Sequence, residues 1–276
     1  MAGGCTSNCA TCGQDCAQRT EPQSLLKEHH PKARAEKVYG IVSGKGGVGK
    51  SMVTSQLAVL MRRRGYQVGI LDADVTGPSI PRCFGVRSQA YGTEDALLPV
   101  DSRTGIQLMS VNLLLPRETD PVVWRGPVIS GVVQQFWTEV LWDCDYLFVD
   151  MPPGTGDVTL SVFQSLPLDG IFVVASPQEL VSMVVEKAVN MAEMMEVPIV
   201  GILENMSYAL CPDCGKKLFL FGKGKTAEAA KRHNLELLGE MPIDPALAEL
   251  ADRGEIESFE GNWLDRAADC IDSGET

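Results

Sequence analysis

Gly44-Lys45-Gly46-Gly47-Val48-Gly49-Lys50-Ser51 matches the phosphate-loop pattern GxxxxGK[ST] in full. It follows a short apolar run, 38–43, and precedes a stretch in which Val53, Leu57, Leu60 and Met61 recur at i, i+4, i+7 and i+8. That spacing is one buried stripe of a helix. A strand, a glycine loop and a helix in this order are the context the motif requires. The glycines let backbone amides turn around phosphate oxygens, and the helix N-terminus adds its partial positive charge. Lys50 is placed to reach the β- and γ-phosphates, and the Ser51 hydroxyl to ligate magnesium. The expected ligand is ATP with Mg2+, bound by 44–51 and the adjoining Met52.

Beyond this motif, apolar runs at 68–72, 106–111, 146–150, 170–175, 199–204 and near Leu237 alternate with helical patterns. This is the signature of βαβ units. The expected fold is α/β, a mostly parallel sheet with helices on both faces. Arg62, Arg63 and Arg64 before Gly65 form a basic last turn and a stop for the first helix. The stretch 179–195 reads as a second strong helix, with its methionines as core filler. Residues 1–36 hold a Cys-rich stretch and a polar linker without useful periodicity, so the organisation expected is a tail, 1–36, and one ATPase domain, 37–276.

Composition sets outer bounds. Of 276 residues, 45% are hydrophobic and 22% charged, which suits a globular core rather than disorder. The net charge is −12, and 240–276 carries eleven acids against two arginines. Such a surface argues against DNA or anionic lipid as the main partner, since both demand clustered Lys and Arg. No apolar run is long enough to span a bilayer and the N-terminus lacks a signal-peptide layout, so a cytoplasmic protein is expected. In a reducing compartment its nine cysteines are better read as metal or redox sites than as disulfides.

Six of the nine are clustered. Cys211-Pro212-Asp213-Cys214-Gly215 offers two thiolates at a spacing that serves one metal centre. Two ligands half-coordinate a tetrahedral zinc or a cubane cluster, and a two-fold dimer supplies the other two at once. Zinc and a redox dithiol are the alternatives for this pair. In the tail, Cys5, Cys9, Cys12 and Cys16 offer four thiols, enough for a complete site in one chain, whether iron–sulfur or zinc. The spacing of Cys5, Cys9 and Cys12 also matches that of radical-SAM enzymes, but nothing downstream reads as their barrel. Cys83, Cys144 and Cys270 are isolated and read as small apolar residues.

The loop GKGGVGKS, with Lys45 as a second lysine, resembles the deviant Walker A motif of the class containing the nitrogenase iron protein and the MinD and ParA ATPases. Together with DADVTGPSIPR, VDMPPGTGD, ENMS and CPDCG, it resembles the Mrp/ApbC family of iron–sulfur cluster carrier ATPases over roughly 37–260. The resemblance implies that Lys45 reaches the partner subunit's nucleotide, that Asp150 is the Walker B acid behind a magnesium-bound water, and that Asp74 positions the attacking water. Asp72 and Asp157 are implied as supporting residues, and Asn205 as a reader of the adenine edge, although an Asn there also suits a turn. Also implied are a homodimer, a four-iron four-sulfur cluster between the two CPxC motifs, and apo iron–sulfur proteins as its recipients. A reductase like the nitrogenase iron protein and a positioning ATPase like MinD are the competing functions. The second needs a basic C-terminal helix or DNA-binding face, which the acidic C-terminal stretch does not provide.

Overall fold

The computed structural model describes residues 25–75, 77–115, 126–177 and 181–274. The tail cysteines Cys5, Cys9, Cys12 and Cys16, with the metal site expected on them, lie outside the described residues. The strands are β1 Arg34–Ser43, β2 Val68–Asp72, β3 Val100–Asp101, β4 Gln107–Met109, β5 Asp143–Asp150, β6 Gly170–Ala175, β7 Ile199–Glu204, β8 Ala209–Leu210, β9 Lys217–Leu218 and β10 Leu237–Glu240. The α-helices are α1 Lys50–Arg63, α2 Ile80–Cys83, α3 Gly126–Thr138, α4 Asp157–Ser165, α5 Val181–Met194, α6 Thr226–Arg232, α7 Pro245–Arg253 and α8 Asp265–Ser273.

Eight strands form one sheet in the order β10-β7-β6-β1-β5-β2-β4-β3. Its neighbours pair in parallel except β3, which runs antiparallel to β4 at the edge. Strand side chains alternate between two cores, as the pleat dictates. On β1, Val38 and Val42 join the face covered by α3 to α6, where Phe136, Trp137, Phe163 and Val185 pack. Tyr39 and Ile41 join the other, covered by α1, α2, α7 and α8. Both faces are thus closed by helices, the condition under which a parallel sheet is stable. Val53, Leu57 and Met61 of the α1 stripe are fully buried, while Leu60 packs at its edge.

Two boundaries differ from expectation. The first strand begins at Arg34, inside the expected linker, because Arg34 Nε donates to Asp143 Oδ1 at 2.8 Å and Nη1 to Asp145 Oδ1 at 2.6 Å across the β1–β5 ladder. Before it, Lys27 N donates to Ser165 O and Trp137 Nε1 donates to Lys27 O, so the segment is anchored on α3 and α4. The strand expected over 106–111 stops at Met109, because the Ser110 hydroxyl turns to donate to Asp72 Oδ2 at 3.0 Å and Val111 enters a 3-10 turn.

The carboxyl ends of β1, β2, β5 and β7 bring Ser43, Asp72, Asp150 and Glu204 to one edge of the sheet. Registers place Asp72 beside Asp150 and Asp150 beside Ile41. In open α/β sheets this is the edge where ligands bind.

Candidate nucleotide site and cysteine hairpin

Between β1 and α1 the loop turns on two left-handed glycines, Gly47 with φ +79° and Gly49 with φ +76°. A side chain at Gly47 would meet nothing within 4 Å, so the loop opens a cradle there. Gly49 caps α1 without a side-chain hydrogen bond, and the first-turn amides of the helix are left for a ligand. The loop borders a cavity of about 550 Å³. Its wall takes Ser43 and 46–52 from the loop and helix, Asp74 from the end of β2, and Pro153 after β5. Ser79, Arg82 and Cys83 from α2 and Ala248, Ala251 and Asp252 from α7 complete it.

Below the loop lies a buried charge cluster. Asp150 is 0% and Lys50 6% exposed, and Lys50 Nζ lies 2.7 Å from Asp150 Oδ1 as an ion pair rather than a well-directed hydrogen bond. Thr54 Oγ1 donates to the same oxygen at 2.7 Å, and Ser51 Oγ donates to Asp150 Oδ2 at 2.5 Å. A P-loop hydroxyl and a strand-end carboxylate this close form the hard-oxygen set that suits Mg2+. Asp72 is buried beside them. Burial and the negative charge of Asp150 push its carboxyl up to about 8, against the opposing effect of Lys50.

Asp74 lies half-buried at the cavity wall, its amide donating to Asp72 Oδ1 at 3.2 Å. Asp157 opens α4 and is exposed, an acid at a helix N-terminus. Lys45 is half-buried on the loop, where its carbonyl accepts from Ser43 Oγ at 3.0 Å; the cavity wall includes neither Gly44 nor Lys45. Asn205, at the end of β7, is buried under the loop. Its Nδ2 donates to Val48 O at 2.9 Å, and its Oδ1 accepts from Met206 N at 2.9 Å. A Cβ at Gly49 would stand 2.2 Å from that Nδ2. Gly49 therefore serves close approach as well as positive φ.

Cys211 and Cys214 sit at the tip of the β8–β9 hairpin. Gly215 N donates to Cys211 O at 2.9 Å, Cys211 N to Lys216 O at 3.0 Å, and Gly215 takes φ +69° to close the turn. The Cys211 thiol lies below its usual range because the backbone N–H groups of Cys214 and Asp213, then the Cys214 thiol, donate toward its sulfur. A stabilised thiolate is the form that binds metal. Cys214 is exposed, and among the described residues no group of three or more His, Cys, Asp or Glu side chains gathers into a metal site. The pair by itself could supply a metal with two ligands.

Of the isolated cysteines, Cys144 is buried and its thiol is pushed up to about 12 by burial, an inert core residue. Cys83 differs from the apolar-filler expectation in lining the cavity, where burial, Asp72 and Asp150 push it up to about 11. Sequence reasoning missed three features. Thr54 was readable as i+3 from Ser51, on the same helix face. The Asn205 contact with Val48 and the α2 and α7 walls are tertiary and leave no local signal.

The model of the NUBPL iron-transfer P-loop NTPases, in the ParA group, matches residues 34–269. An iron-sulfur cluster carrier protein of Clostridium perfringens is 45% identical over 231 residues, 80% of this chain and 81% of that protein. One of Methanocaldococcus jannaschii is 42% identical over 261 residues, 91% and 89% of the two chains. Among solved structures, a nucleotide-binding protein of Archaeoglobus fulgidus in complex with ADP is 43% identical, with a TM-score of 0.76 over 84% of this chain and 91% of that one. The MinC:MinD complex of Aquifex aeolicus aligns at 20% identity with a TM-score of 0.60 over 87% and 97% of the chains, a likeness of fold. With its phosphate loop, its paired strand-end acids and a family match across most of its length, the chain belongs to the iron-transfer P-loop NTPases.

Proposed function

We propose that this chain is an ATP-hydrolysing scaffold and carrier of iron–sulfur clusters that works as a cytoplasmic homodimer. A four-iron four-sulfur cluster is its cargo, shared by Cys211 and Cys214 of two copies and delivered to apo-proteins. The observation that carries the reading is a two-cysteine turn at an exposed hairpin tip in the same chain as a complete P-loop site. Two thiolates per chain match half of a cubane's four ligands, and an isologous interface doubles them. The names of the relatives support the same cargo.

At the nucleotide site, the loop amides and Lys50 bind and orient the phosphates, and Met52 adjoins them. Ser51 and Asp150 hold magnesium, which when bound neutralises charge on the β- and γ-phosphate oxygens. Asp74, at the wall of the cavity, orients the attacking water. Lys45 acts across the dimer as a cation on the charge that grows in the transition state. Asn205 braces the loop through Val48, and its amide, which carries a second N–H, would read the adenine edge. The four tail cysteines carry a second cluster, or zinc. Within α1–α8, no helix of the described residues is long and apolar enough to cross a membrane.

Anaerobic reconstitution of a chain with Cys5, Cys9, Cys12 and Cys16 replaced by Ala isolates the central site. Iron and sulfide at about four each per dimer, released to an apo-acceptor, are expected. Zinc without sulfide at that site would refute a cluster carrier.

A further inference from the structure

The cysteine hairpin continues into a surface unlike the rest of the molecule. Leu210, Leu218, Phe219, Leu220 and Phe221 are all exposed, Leu220 to 61%. Large apolar side chains scattered singly over a surface mean little, but a contiguous set marks an interaction site. Around them, Lys216, Lys217, Lys223 and Lys225 are exposed, and 216–225 holds no acid in a chain whose net charge is −12.

Two of these lysines are held in place. Lys217 Nζ stands 3.8 Å from the ring centroid of Tyr208, itself buried, and Lys223 Nζ stands 5.8 Å from that of Phe219. The Tyr208 and Phe219 rings meet edge to face at 6.4 Å. Cation–π contacts of this kind order side chains that are otherwise mobile. At its base the finger is tied to the sheet: Ile243 N donates to Tyr208 O at 2.7 Å, and Thr226 Oγ1 donates to the buried Glu204 carboxylate.

We propose that this basic, apolar finger is the docking surface for the acceptor, a protein whose receiving thiols lie in an apolar patch rimmed by Asp and Glu. The inference rests on the carrier reading above. A cluster passes by thiolate exchange, each recipient thiol losing its proton to bond iron as one Cys211 or Cys214 thiolate leaves iron and takes up a proton, with no change of oxidation state, and this requires the recipient's sulfurs within bonding distance of that iron. The recipient must then rest on the side chains that surround those cysteines, and their chemistry selects its own. A second copy of the same surface satisfies them poorly, because 216–225 carries four lysines and no acid and so offers its own copy no opposite charge. Like charges side by side repel, which leaves the lysines to steer a third, acidic molecule.

The test measures cluster transfer from the reconstituted full-length dimer to the apo form of a small acidic four-iron ferredoxin. One variant combines Lys217→Glu with Lys223→Glu, and a second combines Lys216→Glu with Lys225→Glu, which spares the ring contacts. Wild-type transfer is expected to slow as salt rises, and both variants to slow transfer about tenfold or more at low salt with cluster content and ATP turnover unchanged. Unchanged transfer in both variants overturns the docking surface. So does loss of the cluster or of the dimer in both, which assigns the lysines to assembly instead. Sedimentation with phosphatidylglycerol vesicles is the further arm: vesicle binding that the variants abolish while transfer stays at the wild-type rate assigns the finger to membranes. A wild-type dimer that loads a cluster yet transfers it to no acceptor overturns the carrier reading, a result distinct from normal transfer by the variants.

Discussion

The nucleotide site and the cysteine hairpin are built on opposite plans. Around Asp150, itself fully buried, the polar groups are held from several sides: half-buried Ser51 and buried Thr54 donate to it, Lys50 pairs with it, and Asn205 clamps the loop above from another strand. Around Cys211, the ordering is local, a backbone turn closed from Gly215 N to Cys211 O and a left-handed glycine, with Cys214 exposed. The first plan suits machinery that must be preorganised before each turnover, because fixed donors in a dry site cost no reorganisation during reaction. The second suits cargo that must leave. A ligand enclosed by four strand ends would be retained, whereas one held as proposed at a hairpin tip, by two cysteines from each of two chains, would be exposed to an acceptor.

The contrast can be broken first at the two lysines of the loop. Lys50→Ala is expected to abolish nucleotide binding, whereas Lys45→Ala keeps ATP bound and lowers turnover about a thousandfold, the scale of a cation supplied in trans. Isothermal titration beside steady-state hydrolysis separates the two, and normal turnover in Lys45→Ala would remove the cross-dimer role. Asp74→Ala is expected to lower turnover about a hundredfold with ATP affinity retained, since its proposed part is to orient water. A loss of affinity equal to that of Lys50→Ala would move Asp74 out of that role.

Stability sharpens the same comparison. Gly49→Ala introduces a Cβ 2.2 Å from Asn205 Nδ2 at φ +76° and is expected to cost about 2–4 kcal/mol in denaturant unfolding. Replacing Cys211 and Cys214 by Ala is expected to leave the midpoint nearly unchanged, because few contacts hold them. The smallest effect is at Asp145, whose carboxyl Arg34, and then the Gln67 amide, hold below its usual range. A depressed acid stabilises the fold above its unfolded pKa and loses that contribution as pH falls through its folded pKa. Asp145→Asn should therefore lower Tm by about one or two degrees at neutral pH, with the difference fading below about pH 4.

The nucleotide end was largely readable because its signals are local. The glycine pattern, the helix stripe from Val53 and the apolar strands ending in Asp72 and Asp150 all lie within a few residues of the groups they position, and three expected strands match β2, β6 and β7 residue for residue. What escaped notice depends on distant parts of the chain. Asn205 meets Val48 across 157 positions, and Arg34 meets Asp145 across 111, which turned an expected linker into the start of the central strand. The hairpin was legible as a cysteine spacing but not as β8 and β9, two residues each, too short for any periodicity. Its apolar run Leu218, Phe219, Leu220 and Phe221 is exposed in the fold, which depends on where the hairpin sits and not on local pattern.

The central claim is that one cluster is shared by two copies of the Cys211–Cys214 pair, and native mass spectrometry under anaerobic conditions counts it directly. Replacing both cysteines by Ala is predicted to remove one four-iron four-sulfur cluster per dimer, not two, and to leave any metal centre on the tail in place. A monomer that keeps a complete cluster on Cys211 and Cys214 alone would contradict the account.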